Sequence, residues 1–265
     1  MLRIATALGA LALMCGCATT PMAPAAAVAD LAPTGKLRAA INFGNPVLAS
    51  KDRASGEPRG VSVDLSRELA HRLSVPVELV TFDAAGKVVE ALKSGAWDVA
   101  FLAIDPARAV DIGYTAPYVL IEGAYLVREA SPVRANADVD RRGTRVVVAT
   151  GSAYDLYLTR ELKQATLVRV PTSQAVTDTF VARDLDVAAG VRQQLESDAR
   201  RIAGLRVLDG RFMAIEQAMG TPRARAAGTE YLRSFVEQMK ASGFVARALA
   251  RHGIEGAVVA PAGGS

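Results

Sequence analysis

Asp105-Pro106-Ala107-Arg108 is the stretch with the clearest chemical potential. Asp followed by Pro is a helix N-cap with a first-turn proline, so the spacing predicts a helix starting here. A cation in the first turn is disfavoured by the helix dipole. An arginine placed there is suited to hold an anion between its guanidinium and the free backbone N–H groups, the alternative being a surface ion pair. A second stretch, Thr150-Gly151-Ser152-Ala153-Tyr154-Asp155, follows a strand pattern and opens a helical one. Ser152 and Asp155 have the S-x-x-D spacing of a capping box, which explains Asp155 by itself. Asn42 and Asn45 follow the first strand, where they could reach a ligand or serve a tight turn. Tyr118 and Glu122 flank the segment that leaves the first half of the chain; Glu122 could meet a ligand cation or cap a hinge there.

Signals for catalysis are thin. The two histidines, His71 and His252, sit in helical patterns without a nucleophile partner and read as exposed polar helix residues. Neither a G-x-S-x-G nor a P-loop is present, and no G-x-G-x-x-G follows a strand. Metal-ligand spacing of the His/Cys type is missing. No cofactor and no metal are expected, and Trp97 reads as a packing residue.

The elements that must position these residues are spelled twice. Gly35-Lys36-Leu37 opens a run of strand (LRAAINFG), helix (SVDLSRELAHRL), strand (VPVELVTF), helix (AGKVVEALKSG) and strand (WDVAFLAI). Gly143-Thr144-Arg145 opens another, with TRVVVATG, AYDLYLTRELKQ, ATLVRVPT, SQAVTDTFVARD and LDVAAGV in the same order. The third strands begin alike, Asp98-Val99-Ala100 against Asp186-Val187-Ala188. Leu65, Leu69 and Leu73 lie four apart, as do Tyr154, Leu158 and Leu162, which is the stripe of a helix lying on a sheet. Strands alternating with helices predict parallel sheets with right-handed crossovers. Two such βαβαβ units predict two α/β lobes, each a small, mainly parallel sheet flanked by helices, with a cleft between them. Ligands of such sheets bind outside the carboxyl ends of the strands.

The bulk composition suits this plan. The 265 residues are 51% hydrophobic and 22% charged, enough for two cored lobes of about 100 residues each. A net charge of +4 is interspersed along the chain without a basic block, so no nucleic-acid partner is expected. Residues 1–17 read as a signal peptide: Arg3, a short apolar run from Ile4 to Met14, then Met14-Cys15-Gly16-Cys17. That ending resembles a lipobox with Cys17 as the lipidated residue, although Leu is usual where Met14 stands; Ala27-Val28-Ala29 is the alternative cleavage site. Both cysteines of the chain lie in this segment, so the mature domain has no disulfide. Residues 18–33, rich in Ala, Thr and Pro, read as a flexible tether and residues 258–265 as a plain tail. Between them, 34–126 form the first part of lobe 1, 127–214 lobe 2, and 215–257 the return crossover with the completion of lobe 1. The outward crossing is placed at Ala124 to Arg128 and the return strand at Phe212 to Gly220.

Five segments in order carry a family resemblance: GKLRAAINFG, GVSVDLSRELAHRL, EALKSGAWDVAFLAIDPARA, IGYTAPYVLIEGAYLV and RRGTRVVVATGSAYD. From about Gly35 to Ile254 the chain resembles the family-3 extracellular solute-binding proteins, the receptors of amino-acid ABC transporters. The resemblance implies a monomeric receptor of the periplasm or cell envelope, lipid-anchored if Cys17 is modified. It further implies two lobes on a two-crossover hinge, ligand capture by closure, and permease subunits as partners. It makes Arg108 the residue that grips a ligand carboxylate, with the backbone N–H groups of Gly151, Ser152 and Ala153 as the second contact from lobe 2. It also exposes departures. Val191 stands where an aspartate usually holds the α-ammonium, Ala103 where a hydroxyl often helps, and Ala84-Ala85 where an aromatic is common. Either Asp105 or Glu122 substitutes for the missing aspartate, or the solute is a carboxylate without the standard amino-acid head group. Two other functions share the scaffold: a lyase resembling periplasmic cyclohexadienyl dehydratase, with Glu122 or Asp105 as its acid, and a sensor for a membrane signalling protein.

Overall fold

The two repeats fold as two α/β lobes that share one continuous sheet. A computed structural model describes residues 23–263. The signal segment with Cys17, the first residues of the expected tether and the last two of the tail lie outside the described residues.

In chain order, lobe 1 begins with α1 (Ala25–Leu31) and β1 (Leu37–Asn42), then a two-stranded flap, β2 (Ser50–Lys51) and β3 (Pro58–Arg59). It continues with α2 (Val61–Leu73), β4 (Val77–Phe82), α3 (Ala85–Ala91), β5 (Val99–Ala103) and β6 (Ile112–Tyr114). The ten-residue strand β7 (Val119–Arg128) then carries the chain across to lobe 2. Lobe 2 comprises β8 (Arg145–Ala149), α4 (Ala153–Glu161), β9 (Thr166–Val170), α5 (Ala175–Ala182), β10 (Val187–Val191), α6 (Arg192–Arg201) and β11 (Leu205–Val207). Strand β12 (Met213–Pro222) returns, and α7 (Ala226–Ala241), α8 (Phe244–Arg251) and β13 (Val258–Val259) finish the chain on lobe 1.

The repeat is visible in the pairing. Strand β1 lies between β4 and β5, parallel to both, as β8 lies between β9 and β10. Strands covered on both faces must be apolar throughout, and β5 and β10 are buried at every residue. The two repeated aspartates do the same job. Asp98 accepts from the backbone N–H and guanidinium of Arg38, and Asp186 from those of Arg145, tying the third strand of each unit to its first. Strands β7 and β12 pair antiparallel from Val119 to Gly123 against Gln217 to Met213. On one side β12 continues onto β5, and on the other β7 continues onto β10, so these two strands alone carry the sheet between the lobes. Two main cores result: one holds Leu37, Leu65, Leu69 and Phe235, the other Val147, Leu158, Phe180 and Leu195. Trp97 is fully buried and donates to the Val88 carbonyl, as its packing role requires.

Three expectations need correction. The tether is structured from Pro24 onward. Its alanines favour a helix, and Ala27 and Leu31, four apart, bury against α7, where Gly228 leaves room for the Leu31 side chain. Asp30 caps α7 by accepting from the Gly228 N–H at 2.9 Å, and burying Leu31 contributes about 1.5–3 kcal/mol. Ala27-Val28-Ala29, the alternative cleavage site, lies inside this helix. The tail also packs: Val258 and Val259 pair with β7, and Ala260 is buried. His252 is partly buried rather than exposed, with Nε2 2.9 Å from the Asp64 carboxylate.

Candidate ligand-binding site

Strands β1, β5, β8 and β10 all point their carboxyl ends at one seam between the lobes. A cavity of about 30 Å³ lies there, lined from lobe 1 by Asn42, Gly44, Asn45, Ala85, Leu102, Ala103 and Arg108. Lobe 2 contributes Ser152, Ala153, Tyr154, Ser173 and Val191, and the return strand β12 contributes Ile215 and Gln217. A larger groove of about 600 Å³ lies at the opposite end of lobe 2, around Arg142 and Arg145, away from these strand ends. The small cavity is the one the topology favours.

Arg108 occupies the centre of the seam. It is 3% exposed, donating from Nη1 to the Ala103 carbonyl at 3.0 Å and from Nη2 to the Gly151 carbonyl of lobe 2 at 2.7 Å. Its Nε is buried without a partner among the described residues. Both partners are carbonyl dipoles, so the buried charge is solvated but not neutralised; burial pulls its pKa below the ordinary value, while Tyr114 and Asp105 oppose this. Tyr114 is its near neighbour, a phenol that burial pushes up to about 12.

The helix expected at Asp105 does not form. Residues 104–111 must reverse the chain between β5 and β6, and they do so in turns. Asp105 still caps the bend, accepting from the Ala107 N–H at 2.9 Å, while its other oxygen pairs with Arg160 of α4 at 2.9 Å. That ion pair crosses between the lobes and occupies Asp105. Glu122 is also engaged, by Arg192 at 2.7 Å and Arg211 at 3.5 Å, on the hinge strand and outside the cavity lining. Tyr118 is fully buried in the lobe 1 core, edge-on to Phe101, and does not line the cavity either.

The second predicted contact is largely closed on itself. Ser152 accepts from the Asp155 N–H, and Asp155 accepts from the Gly151 N–H at 2.8 Å. The Ser152 N–H goes to the Ala149 carbonyl. Gly151 and Ser152 therefore have no free backbone N–H to offer a ligand, one being held by the Asp155 carboxylate and the other by the Ala149 carbonyl. The Ala153 N–H, at the first turn of the nine-residue helix α4, has no acceptor among the described residues. Asn42 serves the turn, its side-chain oxygen accepting from the Gly44 N–H at 2.9 Å, while the Asn45 side-chain oxygen is buried without a partner. Val191 lines the cavity at 7% exposure.

Tyr154, Ser173 and Gln217 were not legible as site residues. Tyr154 donates to Ser173 at 3.0 Å on the lobe 2 wall, and Gln217 turns inward from the return strand. Tyr154 lies inside the helix-start stretch quoted above, but only the fold selects it over Asp155.

Two lobes joined by a pair of crossing strands, with a buried cation between them at the strand ends, define a two-lobed binding protein. Residues 37–254 match the bacterial extracellular solute-binding proteins, family 3, and the chain belongs to that family. Its fold is similar to that of a mutant of ArgBP from T. maritima, at 18% identity and a TM-score of 0.74, covering 86% of this chain and 100% of that one. It is also similar to the ancestral amino acid-binding protein AncCDT-1, a precursor of cyclohexadienyl dehydratase, at 19% identity and a TM-score of 0.72, over 86% and 99% of the two chains. An amino acid ABC transporter substrate-binding protein from Streptococcus pneumoniae, bound to L-arginine, is similar at 18% identity and a TM-score of 0.72, over 85% and 97%. No curated protein matches the chain. No helix among the described residues is long and apolar enough to cross a membrane.

Proposed function

We propose that this chain is the solute receptor of an ABC uptake transporter, which captures a small carboxylate-bearing solute by closing its two lobes. It acts as a monomer in the cell envelope, anchored through a lipid on Cys17, and hands its solute to permease subunits. The carrying observation is Arg108: a guanidinium buried at the seam of two lobes, donating to two carbonyls, with Nε unpartnered among the described residues. A charge in that state is stabilised most by an anion, and charge-assisted hydrogen bonds contribute about 1.5–3 kcal/mol each. A solute that touches Arg108 on lobe 1 and the start of α4 on lobe 2 stabilises the closed arrangement specifically, which is what drives closure. A lyase would need an acid against its substrate, and the two candidates, Asp105 and Glu122, are both held by arginines.

The test is a thermal-shift screen of amino acids, opines, keto acids and small dicarboxylates on the wild-type protein and on Arg108→Ala. A ligand at a hundred times its dissociation constant adds about 2.7 kcal/mol of stability. At least one carboxylate should stabilise the wild type and leave Arg108→Ala unmoved. Equal shifts in both proteins would place the anion site elsewhere.

A further inference from the structure

Arg108 is the one charged side chain among the fourteen residues that line the cavity. The carboxylates around it are committed to other arginines: Asp105 to Arg160, and Asp155, which accepts from the Gly151 N–H, to Arg169; Glu122, on the hinge strand outside the lining, is held by Arg192 and Arg211. The two carbonyls at the cavity edge, Ala103 and Gly151, are taken up by Arg108 itself. An ammonium group closed into this seam would therefore be a buried cation beside a buried cation, with no carboxylate to neutralise it. Burying an unpaired charge is among the most unfavourable events in a protein interior.

What the wall does offer is neutral and polar. The Asn45 side-chain oxygen is buried without a partner, Gln217 is 5% exposed with no side-chain hydrogen bond among the described residues, and Tyr154 and Ser173 form a hydroxyl pair. The Asn45 oxygen only accepts and so suits a hydroxyl, while the Gln217 amide can donate to a keto oxygen or accept from a hydroxyl. A single cation also suits a single negative charge, since a second carboxylate would be as unpartnered as an ammonium. Size is restricted as well: the seam as it stands leaves about 30 Å³, so a short solute needs the least reopening of the lobes.

Building on the receptor function proposed above, we infer that the solute is a short monocarboxylate without an ammonium group, of the 2-hydroxy or 2-keto acid class. Its carboxylate meets Arg108 Nε and the start of α4, and its second oxygen meets the neutral groups around Asn45 and Gln217. Val191 and Ala103 flank it where a charge would otherwise be matched.

Four three-carbon acids separate the possibilities by calorimetry on the wild-type protein: lactate, pyruvate, L-alanine and malonate. Lactate or pyruvate should bind at least tenfold more tightly than L-alanine and malonate. If L-alanine or malonate binds as tightly or more tightly, with that binding lost in Arg108→Ala, this inference is overturned while the carboxylate receptor stands. If none of the four binds, the inference is overturned too, and the wider screen decides the receptor function separately.

Discussion

Gly86 and Gly151 meet backbone to backbone across the cleft: a Cβ on Gly151 would lie 2.9 Å from the Gly86 Cα, and one on Gly86 would lie 3.0 Å from the Thr150 carbonyl. The two lobes approach to this distance because neither residue carries a side chain. Gly151 also adopts φ 68°, which disfavours any other residue there whatever the space. Gly86 has no such constraint, so its substitution acts on closure alone.

Gly86→Ala should therefore fold normally but close incompletely. Overpacking costs about 1–3 kcal/mol, and falling on the closed state alone it weakens solute binding roughly tenfold. Small-angle scattering should show a larger radius of gyration than the wild type at saturating solute. An unchanged radius together with unchanged affinity would mean the glycine contact does not set the closed position.

Val191→Asp should reverse the charge preference of the site. Val191 lines the cavity from the end of β10, 7% exposed. A carboxylate there supplies the neutralising group that an ammonium lacks and repels an anion, so L-alanine should bind about tenfold better and lactate about tenfold worse. Calorimetry with both ligands reads the exchange. Parallel losses for the two would show that Val191 matters for packing only.

The repeated aspartates should differ in what they contribute, because they differ in burial. The Asp98 side chain is fully buried and receives Arg38 and Arg225, whereas Asp186 and its partner Arg145 are each more than two-fifths exposed. Breaking a buried pair costs about 3–5 kcal/mol, and an exposed one about 0–1 kcal/mol. Asp98→Asn should thus reduce stability at pH 7 several times more than Asp186→Asn. For Asp98, burial raises the pKa but hydrogen bonds from Arg38 and Arg225 outweigh it, leaving the carboxyl below its ordinary value. A depressed folded pKa gives stability that is present above the unfolded value near 4 and lost as pH falls through the lower folded one. The wild type should lose stability below about pH 4, and Asp98→Asn should lose less over that range. Urea denaturation at pH 7 and pH 3 decides it.

The βαβαβ units were legible because each rests on local periodicity: a leucine stripe four apart on α2, apolar runs in β5 and β8, and a glycine before each first strand. Arg108 was legible as a candidate anion site, although the helix predicted beneath it does not form; what singles it out in the fold is burial at the seam, which the Asp-Pro signal does not encode. Ala25–Leu31 was misread because an alanine-rich run is as much a linker as a helix until Leu31 finds Gly228. That the backbone donors of Gly151 and Ser152 are taken was not legible, because the Ser152 and Asp155 spacing shows neither that Asp155 reaches Gly151 nor that Ser152 turns back to Ala149.

The sequence by itself determined the two lobes, the crossing strands and the cation at the strand ends, since those follow from patterns of neighbouring residues. Only the tertiary structure decided which polar groups remain free. Asp105 lies three residues from Arg108, yet its carboxylate belongs to Arg160, fifty-five residues away on the other lobe. Whether a buried charge is already answered depends on which side chains the folded chain brings within a few ångströms of it, and that is what sets the chemistry of the solute this cleft can accept.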